Sequence, residues 1–501
     1  MDFEYIIVQA GGKGTRLKHL TQNKPKCLVP VENKPMLFHL FDKFPNKKFI
    51  IIGDYKIDIL KKYLNSFAKV PYILISAEGY NGTMSGIKES LRYVPEGKSF
   101  MLIWSDLILA EDLYFPEEIR QNYIGISKDF QCRWSYNNGK FEETPSFDNG
   151  VAGLFLFKDK AFLDKINMEG EFVRYLSENN FQFESFPLHG TREFGLLEEY
   201  EKLEVEKFRY FNNIIIKEDT IIKEGITEKG KRLAIDEKKW YKSVEDLAFK
   251  GVPKIYSYEP FEMERIDGKN IYEYNELNIN EKKSILSTIV SVLEDLHGRG
   301  NIPVEYFSVY ENYYKKTIER IKGLEELVPY ANQKTIVIND RECRNIFYHI
   351  EEIRNRIMNW DIGEFSVIHG DCTFSNMMMR SGGSAVLIDP RGYFGSTRLY
   401  GDPDYDWAKL YYSLIGNYDQ FNLRKFRLNI GANGVKIDIV SNGFEELEGY
   451  YFQLLGDKVD KNRIKFIHAL IWLSLTTYAW EDYDSICGAF YNGLYYLEEV
   501  L

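Results

Sequence analysis

The sequence predicts an α/β protein of two domains, on three observations. At 501 residues the chain exceeds what one hydrophobic core usually serves. From the N-terminus to Tyr200, short β-branched runs alternate with helical stretches, the pattern of a parallel sheet covered by helices. After the charged run EKLEVEKF, which begins at Glu201, the composition restarts with a strand-like pair. The boundary is therefore placed near Lys207, giving a first domain of residues 1–206 and a second of residues 207–501.

In chain order, Tyr5-Ile6-Ile7-Val8 is the first strand. KKFIIIGDY and SFMLIWSDLIL are apolar runs that each lead to an aspartate, as expected for strands buried on both faces, and NGVAGLFLFKD is another. NNIIIKEDTIIKEG reads as two short strands and KRLAIDEKKWYKS as a helix. From Asn280 to Ile350 helical periodicity dominates, as in KKSILSTIVSVLEDLH, and from Lys461 to Leu501 aromatic-rich helices close the chain.

Composition narrows the function classes. Hydrophobic residues at 44% and charged residues at 28% describe an ordinary soluble protein, and no apolar run is long enough to cross a bilayer. The sequence opens on a strand with no room for a signal peptide, so a cytoplasmic protein is expected. Five cysteines, at positions 27, 132, 343, 372 and 487, show no metal-ligand spacing and suit a reducing compartment. A net charge of −11 argues against a nucleic-acid partner. Anionic ligands must then be met by local positive clusters.

One such cluster follows the first strand. QAGGKGTRLKHLTQNKPKCLVPVENKP, from Gln9 to Pro35, packs three glycines and six Lys/Arg into one loop-like stretch. A buried strand opening into glycines offers backbone N–H groups to an anion, and phosphate is the obvious guest. The Walker pattern fails for want of Lys-Ser/Thr after the last glycine, and the dinucleotide pattern fails at Leu17. The stretch resembles the signature of the sugar-phosphate nucleotidyltransferases through Gly11, Gly12, Gly14, Thr15, Arg16, Leu17, Leu20, Thr21, Pro25, Lys26, Leu28, Pro30, Val31, Lys34 and Pro35.

That resemblance implies a Rossmann-like transferase domain in which Gly11, Gly12, Gly14 and Thr15 bind a nucleoside triphosphate. Arg16 would contact the triphosphate, and Lys26 the α-phosphate or the phosphate of the second substrate. Asp106, past the strand Met101–Trp104, stands where the family holds Mg²⁺, a hard cation that wants carboxylate oxygen at the carboxyl edge of a sheet. Gly82 and Thr83 resemble the Gly-Thr that reads the nucleobase. LHGTREFGLLEEY resembles a family segment that often supplies a second metal carboxylate, but Leu188 and His189 precede Gly190-Thr191 here, so that ligand stays unassigned.

A second signal lies in FSVIHGDCTFSNMMMRSGGSAVLIDPRGYFG. His369-Gly370-Asp371, Asn376 and Asp389 follow the H-G-D-x-x-x-x-N…I-D order of the choline kinase and aminoglycoside phosphotransferase family, which the segment resembles; YGDPDYDWAKL extends the likeness. The resemblance implies a bilobal, protein-kinase-like α+β domain, with a small lobe to about residue 270 and a helical lobe from about 271. Asp371 would accept or orient the substrate hydroxyl, and Asn376 and Asp389 would grip Mg²⁺ on the nucleotide phosphates. Lys223 stands where the ATP-phosphate lysine would, with Glu237 as its ion-pair partner. FEMERIDGKNI resembles the hinge, with Met263, Glu264 and Ile266 flanking adenine and Gly268 ending the strand. No glycine-rich phosphate loop is evident.

Together the two resemblances imply a bifunctional enzyme. A kinase phosphorylates a small hydroxyl compound, a sugar or polyol, with ATP. A nucleotidyltransferase couples that phosphate to a second NTP (CTP, GTP or UTP), giving an NDP-activated precursor for cell-surface (capsule) polysaccharide. Its partners would be the small-molecule acceptor, its phosphate and nucleotides, with an oligomer possible. Two alternatives stand beside it: a choline or ethanolamine kinase fused to a phosphocholine-type cytidylyltransferase, and an active transferase beside a non-catalytic kinase-like binding module.

Overall fold

The computed structural model describes residues 3–79, 82–163, 166–203, 212–274 and 276–501. The chain divides into two compact units, Met1–Glu204 with Glu481–Asp484, and Val205–Trp480 with Ser485–Leu501. The boundary expected at residues 206 and 207 lies outside the described residues. Among the described residues no helix is long and apolar enough to cross a membrane.

The first unit is built on a nine-stranded sheet. Its centre is parallel, in the order Tyr72–Ser76, Lys48–Gly53, Tyr5–Gln9, Phe100–Trp104, with Gly150–Phe157 antiparallel beside the last. Apart from the part-exposed edge strand Tyr72–Ser76, these strands read as unbroken apolar runs because helices and loops cover both faces; Ile7, Ile50, Ile52, Leu102 and Phe155 lie in one buried core. Strand order reverses between Tyr5–Gln9 and Phe100–Trp104. In an open α/β sheet that reversal leaves a crevice at the carboxyl ends, where ligands bind.

The second unit has a small sheet and a helical part. Asn212–Ile216, Thr220–Gly225, Phe261–Glu264 and Ile255–Tyr258 form an antiparallel sheet in that order. The helix Glu228–Asp246, started by the Thr227 side chain accepting from the Gly230 N–H, packs on it. Gly225 permits that approach, since a Cβ there would stand 2.4 Å from the Gly230 carbonyl carbon. The helical part includes Ile279–His297, opened by an Asn278/Glu281 capping box, Pro403–Leu414, with Asp402 as cap and proline in its first turn, and Lys461–Leu475.

Two expectations are corrected. The hinge strand ends at Glu264, and Gly268 instead starts Gly268–Asn270, which pairs with Met377–Arg380. A Cβ on Gly268 would lie 2.1 Å from the Met379 carbonyl oxygen, so the glycine serves strand contact rather than strand termination. The helical reading of 280–350 fails at Thr335–Ile338 and Arg341–Arg344, a hairpin whose Asn339-Asp340 turn takes positive φ at both residues. It joins a four-stranded sheet with Phe426–Gly431 and Gly434–Ile439.

Candidate active sites

In the first unit, the Ser105 N–H donates to the Gln9 carbonyl (3.2 Å), so the chain leaving Phe100–Trp104 runs beside the glycine loop. A Cβ on Gly11 would meet Asp54 Cβ at 2.9 Å, whereas at Gly12 nothing stands within 4 Å, leaving its backbone open to a ligand. Gly14 takes φ +61° and a Cβ there would be 3.0 Å from Lys26 Cβ, so the loop folds over the lysine stem. The Lys26 ammonium pairs with Asp106. Thr15 and Arg16 are exposed, and the Arg16 Nη2 lies 3.3 Å from where a Cβ on Gly195 would be. The Gln9 Oε1 is buried with no hydrogen-bond partner at this strand end.

Glu193 is the carboxylate that the sequence reading missed. The short strand Arg192–Glu193 runs antiparallel to Leu107–Ile108, with Glu193 opposite Leu107, and the Phe194 N–H donates to the Asp106 carbonyl (3.1 Å). Burial and the neighbouring Asp106 raise the Glu193 carboxyl above its ordinary range, against the pull of Lys26 and Arg16. Two crowded carboxylates of this kind suit a hard divalent cation, so Asp106 and Glu193 fit Mg²⁺. The available sign was the glutamate two residues after Thr191, rather than just before Gly190.

Gly82 and Thr83 are engaged by protein. Gly82 bridges to Gly170, the Thr83 N–H donates to the Gly170 carbonyl (2.9 Å), and the Thr83 hydroxyl accepts from the Phe172 N–H (2.9 Å). They hold the segment before the helix Phe172–Glu178 against the start of Met84–Ser90.

In the second unit Lys223 is buried between Glu237 (2.7 Å) and Asp389 (2.6 Å). Burial opposes its charge, but the two carboxylates hold the ammonium above its usual range. Burial pushes Glu237 up to about 7, with Lys223 restraining it. Asp389 adopts φ +54°, a strained conformation for a non-glycine residue. The Asn376 amide nitrogen donates to the Asp371 carbonyl (2.9 Å) and carboxylate (3.0 Å), which leaves its oxygen as the acceptor for a cation.

The backbone before Asp371 is clamped. The Asp406 carboxylate accepts from the N–H groups of His369 (2.8 Å) and Gly370 (2.7 Å), and His297 Nε2 stands 3.1 Å from it. His369 is held below the usual imidazole range by burial; its Nε2–H donates to the Ile388 carbonyl (2.9 Å) while Nδ1 accepts from the Asp371 N–H (3.3 Å). One ring thus ties the Asp371 loop to the residue before Asp389. Lys409 pairs with Asp371 at 2.9 Å. Asp406 and Lys409, missed as site residues, share a helix face at i, i+3 within YGDPDYDWAKL.

Among the described residues no group of three or more His, Cys, Asp or Glu could hold a metal alone. Asn376 and Asp389 fit Mg²⁺ of the kind that takes one or two protein oxygens and completes its shell with phosphates and water. At the hinge, Met263 and Ile266 are buried, whereas the Glu264 carboxylate is taken by Arg380 and the Lys254 N–H (3.1 Å).

Comparison with known proteins finds one family model in each unit. Residues 5–122 match the model of the nucleotidyl transferase family, and residues 235–430 that of the phosphotransferase enzyme family. The chain carries an N-terminal nucleotidyl transferase domain with a Rossmann-like sheet, followed by a kinase-like phosphotransferase domain. The bifunctional protein GlmU of Methanococcus maripaludis is 30% identical over 127 residues, which cover 24% of this chain and 29% of that protein. The chain therefore spans less than a third of that relative. D-glycero-alpha-D-manno-heptose 1-phosphate guanylyltransferase of Campylobacter jejuni is 25% identical over 195 residues, 34% of this chain and 85% of the relative. The solved CTP:phosphocholine cytidylyltransferase of Streptococcus pneumoniae (LicC) is 19% identical, with a TM-score of 0.34, covering 41% of this chain and 98% of that one.

Proposed function

We propose that the protein is a bifunctional kinase and nucleotidyltransferase that makes an NDP-activated sugar or polyol, with residues 1–206 as transferase and 207–501 as kinase. The observation that supports it most is that each unit closes its own lysine–carboxylate set, Lys26 with Asp106 and Lys223 with Glu237 and Asp389, on the segment where its family motif falls.

In the kinase half, Asp371 takes the proton of the acceptor hydroxyl as the new O–P bond forms and ADP leaves. Lys409 and the Asp406 clamp hold that carboxylate in place, and Lys223, oriented by Glu237, meets the ATP phosphates. Met263, Glu264 and Ile266 border the adenine. Mg²⁺ held by Asn376 and Asp389 supplies charge neutralisation on the phosphates. In the transferase half, the phosphate made first attacks the α-phosphorus of CTP, GTP or UTP, and the bond to the bridging oxygen breaks to release pyrophosphate. Gly11, Gly12, Gly14 and Thr15 cradle the triphosphate and Arg16 and Lys26 meet its developing charge. Gly82 and Thr83 shape the nucleobase edge, and Asp106 with Glu193 holds the cation. The heptose-1-phosphate specificity in the name of the Campylobacter relative supports a sugar acceptor. A cytoplasmic place and a role in surface polysaccharide complete the reading.

The test is incubation with ATP, each second NTP and a panel of sugars and polyols, reading NDP products by mass. An NDP-linked acceptor that needs both nucleotides is expected. Formation of the phosphorylated acceptor or the NDP product alone would reduce the reading to one activity.

A further inference from the structure

A pocket of about 260 Å³ in the second unit is lined by Lys316, Arg320, Arg391 and Tyr393, with Glu311 and Glu319 also at its wall. It adjoins Asp371. The Arg391 N–H donates to the His369 carbonyl (2.9 Å), and Arg391 Cβ would stand 3.0 Å from a Cβ on Gly370. Tyr405, four residues before the Lys409 that pairs with Asp371, accepts from Arg391 Nη1 (2.8 Å) and stands 3.5 Å from Lys316 Nζ.

Three of the cations here, Lys316, Arg320 and Arg391, are held by neutral groups. Lys316 also donates to Asn312 Oδ1 (2.9 Å), and Arg320 donates to the Ser474 carbonyl (2.6 Å). Among the described residues Lys316, Arg320 and Arg391 form no ion pair with a carboxylate, while Glu311 is taken by Lys315 (3.5 Å). Burial and the charges of Arg391, Arg320 and Lys409 push Lys316 well below the usual lysine range, with the Asp371 carboxylate pulling weakly the other way. Such crowding of like charge is unfavourable without an anion between the groups. The aromatic faces are occupied as well, with the Arg391 guanidinium 4.4 Å from the Tyr393 ring centre and Lys316 5.2 Å from that of Tyr405. Those two ring faces are therefore taken by the protein's own cations rather than offered to a quaternary ammonium. The segment before Lys316, Tyr310–Lys315, is a π-helical turn, a feature frequent at functional sites.

We infer that the hydroxyl compound phosphorylated at Asp371 is an anion, carrying a carboxylate or phosphate group that Lys316, Arg320 and Arg391 bind. The inference rests on the kinase reading of Asp371 and narrows its acceptor to sugar acids, hydroxy acids or sugar phosphates. Arg391 presents the planar fork suited to either oxyanion.

The experiment compares matched compounds on the full chain: glycerate with glycerol, hexuronate and hexose 6-phosphate with the hexose, and choline. Calorimetry reads binding, and ATP consumption with phosphorus NMR reads phosphorylation. Anionic members should bind at least about tenfold more tightly than their neutral partners, and the hexuronate and hexose 6-phosphate arms tell carboxylate from phosphate. Arg320→Gln and Lys316→Met should each raise the acceptor KM at least about tenfold while leaving the ATP KM within about twofold. Equal binding of neutral and anionic members, no binding of any anion, or preferred turnover of choline or a neutral polyol would overturn the inference, whatever the variants do. Selective anion binding with no phosphorylation would sink the kinase reading and leave the anion pocket standing.

Discussion

Under the proposed function the two units meet the same ligand chemistry, nucleotide phosphate, in opposite ways. The transferase unit relies on backbone: an open glycine loop, one lysine beneath it, and a carboxylate pair drawn together by a two-residue strand pairing. The kinase-like unit relies on side chains locked to one another, with Lys223 fixed by two carboxylates and the Asp371 loop clamped through Asp406 and His369. A backbone site can be written in one contiguous stretch of sequence. An interlocked site draws on segments more than a hundred residues apart.

The largest expected effect separates the units outright. Asp371→Asn should lower ATP-dependent phosphorylation about 10³-fold, the loss of a positioned base, while pyrophosphate release from a pre-phosphorylated acceptor stays within about twofold. Loss of both activities in a folded variant would break the comparison. The reverse experiment follows in size: Asp106→Ala should cut pyrophosphate release by about 10²-fold or more and spare phosphorylation. Glu193→Gln should cost about tenfold at limiting Mg²⁺; unchanged Mg²⁺ dependence would remove Glu193 from the cation site.

Stability should also differ between the two designs. Lys223→Met leaves Glu237 and Asp389 without their shared cation and should destabilise the kinase-like unit by about 3 kcal/mol in denaturant melts, whereas Arg16→Gln, at an exposed position, should cost under about 0.5 kcal/mol.

A smaller effect is set by pH. His468 is buried among Tyr411, Tyr412 and Tyr496, accepts from Trp472 Nε1 (2.9 Å), and is lowered to about 3 by burial and by Lys465. Its folded value lies below the unfolded one, so its stability contribution is present above about pH 6.5 and lost as pH falls toward 3. Between pH 7 and 4.5 that share is about 2 to 3 kcal/mol. Glu237, raised to about 7, runs the other way, its contribution present below its unfolded value and lost as pH rises through 7. The check is therefore His468→Phe, which should flatten the acid limb of the denaturation midpoint; an unchanged limb would refute the assignment.

The same contrast explains what the sequence disclosed. Gly11 to Lys26 is contiguous, and its pattern marked the loop and the lysine, while the apolar run SFMLIWSDLIL separately marked the strand leading to Asp106. Glu193 escaped because it reaches Asp106 only through an antiparallel register that no local pattern encodes. The Thr335–Arg344 hairpin was hidden among helices, although TIVI is β-branched throughout and Asn-Asp can turn. Lys316 and Arg320 look like solvated helix charges at i, i+4, and only the folded pocket turns them toward Arg391. Gly268 was read as a strand end because a glycine marks either a stop or a close approach.

The helix Pro403–Leu414 carries the clamp Asp406, the counterion Lys409 and Tyr405, which accepts from the pocket residue Arg391, within five positions. Successive helical residues are set about 100° apart, so this stretch cannot be re-tuned for one task without turning the others. The Tyr310–Ile321 segment has no such triple duty, and its π turn is what a one-residue insertion leaves in a helix. Divergence in acceptor choice would accumulate there, while the Pro403–Leu414 helix remained under constraint: a division between a part free to evolve, which lines the pocket, and a part that is not, which holds Arg391 and Asp371 from behind.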